Sequence, residues 1–153
     1  MRFRILLLFL LAPLSCTSLA AWEDYVNKSL RSTVDDQAGF SMSSDLAYTP
    51  GIPQRALVAY TGQKRAISGS HAEVLRGWIQ LAGYPSQTVD LFQSEIQFQE
   101  EGIAYWMPVQ ETLISSFETL ISPGDQVWLY VVWVGESESD LIVIVDAFER
   151  ITP

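Results

Sequence analysis

One histidine and one cysteine in 153 residues leave this chain short of the side chains from which metal centres, imidazole pairs and disulfides are built. A zinc site founded on His71 would have only carboxylates to complete it, which suits zinc poorly. Basic residues are scarce as well: nine Lys+Arg stand against 18 Asp+Glu, for a formal net charge of −9. Nucleic acid and anionic lipid surfaces are bound through basic patches that displace counterions, so neither is an expected partner. No apolar run reaches the roughly 18 residues that a transmembrane helix requires. Repeats, low-complexity tracts and a G-x-S-x-G nucleophile elbow are missing too, and nothing calls for a cofactor.

What is present begins with an N-terminal leader. Residues 1–20 carry Arg2 and Arg4, then an apolar run over 5–14, then small residues at Ser18 and Ala20. That order is the plan of a secretory signal cleaved after Ala20, and it predicts an exported protein, periplasmic or secreted. Without Arg2 and Arg4, seven Lys+Arg face 18 Asp+Glu, a net charge near −11. A second reading concerns Cys16, whose surroundings resemble a lipobox, the signature of a bacterial lipoprotein anchor. The resemblance is imperfect, because Pro13 stands where a lipobox has leucine and Leu14 comes one place late. Cleavage after Ala20 leaves no cysteine, so the domain must be held by its core alone.

The remaining residues suit one domain, and residues 126–148 are its centre. QVWLYVVWV and LIVIVDAF are β-branched and aromatic runs separated by GESESD, which predicts two adjacent antiparallel strands. Along the first, Val127, Leu129, Val131 and Trp133 alternate with Trp128, Tyr130, Val132 and Val134, so neither face is written for water. Upstream, Trp22, Tyr25, Val26 and Leu30 fall at helical spacing, and 32–53 reads as an irregular arm; residues 21–54 are therefore read as an N-terminal helix and arm, and 55–153 as the globular domain. Residues 55–60 read as a strand and 61–69 as a loop. Ser70 and Glu73 form an S-x-x-E box opening a helix with an apolar stripe of Val74, Leu75, Trp78, Ile79 and Ala82, closed by Gly83. Residues 91–99 alternate, Glu100-Glu101-Gly102 turns, and 103–107 return, giving a hairpin with Glu95, Gln97 and Gln99 on its wetter face. Leu113, Ile114, Phe117, Leu120 and Ile121 predict a second helix, stopped by Ser122-Pro123-Gly124.

The expected class is α+β, an antiparallel sheet of about five strands packed by two helices. Hairpin, helix and second hairpin resemble the last four elements of an oligonucleotide/oligosaccharide-binding (OB) barrel. The helix from Ser70 departs from that pattern, because the OB barrel joins its first two strands directly.

Four features could carry chemistry. The 62–70 loop, running from a strand to a helix N-terminus with Lys64 and Arg65, has the parts of a small-anion site. It is not a Walker loop, since Ile67, Ser68 and Gly69 stand where that motif needs Gly, Lys and a hydroxyl residue. Ser70 and His71 are read as a helix cap and its exposed neighbour rather than as members of a triad. Tyr105 and Trp106, consecutive on a strand, must point to opposite faces, which puts one beside Gln97, Gln99 or Gln110 as a recognition patch. Asp146 interrupts an apolar strand and must find donors; a turn backbone is the expected source. Glu100, Glu101, Glu136, Glu138 and Asp140 read as solvated charges.

These features predict an exported soluble binding or interaction domain, without an evident catalytic site, for a peptide, glycan or small anion. One alternative is a small secreted hydrolase using Asp146 or a Glu. Another is an envelope structural protein whose 126–134 strand pairs with another chain.

Overall fold

The computed structural model describes residues 22–37, 46–137 and 140–151. The expected signal, its cleavage site and Cys16 lie outside them. The two apolar runs form β5 (Gln126–Ser137) and β6 (Asp140–Arg150), paired antiparallel, with β5 flanked on its other side by β2 (Leu46–Ala66). Both edges of β5 are thus paired with strands of its own chain, so β5 does not offer the exposed edge that would favour the structural-protein alternative.

Before β5 the chain runs through β1 (Val26–Asn27), α1 (Leu30–Gln37), β2, α2 (Gly69–Leu81), β3 (Ser94–Glu100), β4 (Ile103–Val109) and α3 (Glu111–Leu120). Short 3-10 turns occupy Trp22–Asp24 and Ser86–Leu91. The sheet order is β1-β2-β3-β4-β6-β5, and a further β2–β5 pairing closes the last five strands into a ring. The class is α+β as expected, but the sheet has six strands, and β1–β2 and β4–β6 run parallel, so it is mixed rather than antiparallel.

The ring explains why β5 is apolar on both faces. Val127, Leu129, Val131 and Trp133 point inward to a core shared with Ile96, Phe98, Met107, Phe117 and Val145. On the outer face Val132 and Val134, with Ile142 and Ile144 of β6, pack under Val74, Leu75, Trp78 and Ile79 of α2. Each such burial contributes about 1.5–3 kcal/mol relative to exposure. α2 therefore forms where its stripe was legible, and Gly83 ends it with φ +75°. Its N-cap is Ser68 instead of Ser70, the Ser68 hydroxyl accepting the His71 N–H at 3.3 Å.

β2 corrects two expectations. Residues 46–54 are strand rather than irregular arm, and 61–66 continue that strand rather than forming a loop. One strand of 21 residues must bend to pair with β5 over its first part and β3 over its last. The register shifts at Tyr48/Ile52 and Tyr60/Lys64 bracket Gly51 (φ +82°) and Gly62 (φ +79°), bulge conformations that glycine adopts without strain. Gly51, expected in the irregular arm, and Gly62, expected in the loop, are instead bends within one strand.

The helix expected over 22–30 does not form there. Tyr25 and Leu30 are buried, but Val26 is 65 % exposed and pairs as strand with Gln54. Ser29 starts α1 instead, its hydroxyl accepting the Ser32 N–H at 3.0 Å. The first N–H groups of α1 are taken by a distant residue: Glu100 Oε1 accepts from Leu30 at 3.0 Å and Oε2 from Arg31 at 2.9 Å. Glu100, expected as a solvated turn charge, is consequently buried. The turn falls where expected but is one residue shorter: Glu100 is the last residue of β3, paired with Ile103, and Glu101 (φ +50°) and Gly102 (φ +85°) alone form a two-residue type I′ connection.

Candidate ligand cleft

The strands of the ring are not paired equally. β4 meets β6 in register only at Val109↔Val145 among the described residues, although β3 and β4 pair along their full length. Between the outer part of β4 and the start of β6 lies a cleft of about 440 Å³. Ile103, Ala104, Tyr105 and Trp106 of β4 form one side and Asp140 and Leu141 of β6 another. Arg65 from β2, His71 from the first turn of α2, and Arg31, Val34 and Asp35 from α1 complete it.

A buried carboxylate organises the polar wall. Arg65 Nε donates to Glu95 Oε2 at 2.6 Å, and His71 Nδ1 is bonded to Glu95 Oε1. Glu95 belongs to β3 and has no exposed side-chain surface. It therefore does not lie on a wet face as alternation alone suggests. Burial pushes its carboxyl up, but the hydrogen bonds from His71 and Arg65 and their charges outweigh burial and hold it below its ordinary 4.5. An ionised Glu95 only accepts, so the Nδ1 that faces it is the donor. The other ring nitrogen, Nε2, lies 3.8 Å from Asp140 Oδ2, on the cleft side. The Arg65 guanidinium carbon sits 4.2 Å over the Trp106 ring, which fixes both groups in a stacked pair. Tyr105 packs against the inner core, and burial raises its phenol, followed by the charge of Glu100.

Four sequence candidates, Arg65, His71, Tyr105 and Trp106, thus come together. His71 is 4 % exposed, so the reading of it as an exposed neighbour of the cap is corrected: Glu95 supplies the partner that makes its burial tolerable. Ser70 is not part of the cleft, and its hydroxyl lies 3.5 Å from that of Ser68. Lys64 points the opposite way from Arg65, as consecutive strand residues must, and pairs with Glu118 at 2.5 Å. The expected anion loop does not exist, because 64–66 are strand and the two cations face separate carboxylates.

Gln110 and Asp146 form a different constellation. Both are buried; Gln110 Nε2 donates to Asp146 Oδ1 at 2.7 Å and the Tyr25 hydroxyl to Oδ2 at 2.5 Å. These donors are side chains, not the turn backbone expected for Asp146, and Gln110 is not a member of an exposed patch. Neither residue lines the cleft. Arg31 and Asp140 of the cleft, and Glu95 buried behind its wall, were not read as site residues from the sequence; Glu95 and His71 are 24 positions apart, with no spacing rule to connect them. Compared with protein-family models, with curated proteins and with solved structures, the chain matches none.

Proposed function

We propose that this chain is an exported binding domain that takes its ligand in the cleft between β4 and β6. The observation that carries this reading is convergence: Arg65, His71 and Trp106 come from three separate elements and meet where β4 and β6 part. A concave site with aromatic surface and a few oriented polar groups is the ordinary make-up of a small recognition site.

We further read the ring as an OB-like barrel with α2 inserted between its first two strands. The order β2-β3-β4-β6-β5 closing on β2, the parallel contact of β4 with β6, and α3 between β4 and β5 support it. Such barrels bind ligands on the face of their second and third strands and the flanking loops, which here correspond to β3, β4, the start of α2 and the β5–β6 turn. The cleft falls in that place. Oligonucleotides are disfavoured as the ligand by the net charge of −9.

The test is a titration of three probe classes, short blocked peptides, chito-oligosaccharides and inorganic phosphate, into wild type, Trp106→Ala and Lys64→Ala. At least one class should bind, with about a tenfold or greater loss in Trp106→Ala and no change in Lys64→Ala. Binding that survives Trp106→Ala and fails in Lys64→Ala would place the site elsewhere.

One observation favours a second reading, a small exported hydrolase. Glu95 orients His71 and leaves Nε2 toward the cleft, the relation of an orienting carboxylate to a general base. That reading requires turnover of an ester or glycoside substrate that His71→Gln abolishes.

A further inference from the structure

We infer that the ligand is an extended, net-basic peptide segment that joins the sheet as a strand along β4, pairing its backbone with Ala104 and Trp106. This rests on the cleft being the binding site, and three features of that cleft point to this ligand class.

The first is the direction of the backbone groups. A two-residue type I′ turn is closed by a hydrogen-bonded pair, here Glu100 and Ile103. Antiparallel pairing alternates, so Phe98/Tyr105 and Ile96/Met107 are hydrogen-bonded pairs, whereas Gln99/Ala104, Gln97/Trp106 and Glu95/Pro108 are not. Pro108 fits this phase, since it has no N–H to give to β3. The N–H and C=O of Ala104 and Trp106 therefore point away from β3, toward the cleft.

The second is the openness of that edge. β6 is in register with β4 only at Val109↔Val145 among the described residues, and Ile103 and Ala104 are exposed. From 103 to 107 the strand has no charge and no proline, the devices by which edges are usually protected. About 13 Å of strand is available over 103–106, enough for a short peptide to form a ladder.

The third is charge. Arg65 is engaged by Glu95 and Arg31 lies beside Asp35, while Asp140 is 76 % exposed at the rim, 3.8 Å from His71 Nε2. With each arginine beside a carboxylate, the exposed Asp140 carboxylate, in a chain of net charge −9, attracts Lys and Arg side chains and repels acidic ones.

The experiment is isothermal titration of the intact protein with an end-blocked alternating Lys-Val hexapeptide, its Glu-Val counterpart, and a Lys-Val hexapeptide N-methylated at alternate amides. The Lys-Val peptide should bind, the Glu-Val peptide about tenfold more weakly or not at all, and the N-methylated form not at all in the phase that blocks the ladder. Ala104→Pro should abolish binding, since it removes an N–H directed at the cleft and none directed at β3. The N-methylated peptides give the same answer without a variant, should Ala104→Pro fail to fold. Equal binding of Lys-Val and Glu-Val peptides, or full binding of every N-methylated form, overturns the inference. Peptide binding lost in Trp106→Ala but kept in Ala104→Pro overturns strand addition and leaves the cleft as the site. Binding kept in both variants overturns the two readings together. A dimer in sedimentation that Ala104→Pro dissolves identifies a second copy as the occupant of the edge and also overturns the peptide inference.

Discussion

The phenol of Tyr25 donates to the carboxylate of Asp146 at 2.5 Å across 121 positions of the chain. Gln110, the residue before α3, holds the other carboxylate oxygen at 2.7 Å. One buried acid thereby joins the N-terminal segment, the last strand and the start of a helix, and Asp146 is a structural tie in this account. Tyr25→Phe removes one donor from a buried carboxylate and should destabilise the fold by about 1–3 kcal/mol, read as a lower urea midpoint with an unchanged slope. A midpoint equal to wild type would contradict it.

Glu100 plays the same role for α1. Its two oxygens take the N–H groups of Leu30 and Arg31, so Glu100→Ala should cost about 1–2 kcal/mol. The loss should be local: hydrogen exchange should accelerate over 30–37 while β5 and β6 amides keep their protection. Because α1 supplies Arg31, Val34 and Asp35 to the cleft, ligand affinity should fall in the same variant.

Stability at low pH should report on Glu95. Its folded-state carboxyl titrates below its ordinary 4.5, so its contribution is fully present above that value and is lost as pH falls through the lower folded one. Urea unfolding of wild type and Glu95→Gln from about pH 6 to about pH 3 should show a gap of about 2–3 kcal/mol that closes with acidification. The expected gap is below that of a fully buried ion pair because the Arg65 side chain is 42 % exposed. A gap independent of pH would show that the ionised carboxylate is not what stabilises this corner.

Gly77 sits on α2 against Tyr48 of β2. A Cβ built there would come within 2.6 Å of Tyr48 Cζ, so the tyrosine must move. Helix propensity alone favours Gly77→Ala by about 1 kcal/mol, and the steric conflict should reverse the sign, giving a net loss of about 1–2 kcal/mol in thermal or urea unfolding. A more stable variant would mean that Tyr48 can swing aside at no cost.

How legible these features are in the sequence follows from the range of the interactions involved. β5, β6, α2 and the β3–β4 hairpin are written in local patterns: alternation, a stripe closed by glycine, a turn with Glu101-Gly102. β2 is not, because Gly51 and Gly62 carry the same local signal whether a strand ends or bends, and only its partners β5 and β3 decide. The N-terminal segment misleads for a related reason, since Tyr25 and Leu30 are buried by different parts of the ring and not by one helix face. Arg65, His71, Tyr105 and Trp106 were visible as chemistry-bearing residues, yet their common cleft was not. Glu95, which binds two of the four, reads as an ordinary alternating polar residue until the strand order is known.

The most direct test of the cleft is chemical-shift mapping during titration with the Lys-Val hexapeptide. The Trp106 indole N–H, the Arg65 Nε–H and the Ala104 amide should shift saturably, with the Lys64 and Glu118 neighbourhood unmoved. Saturable shifts confined to the Lys64 side of the ring, with Trp106 and Ala104 silent, would contradict it.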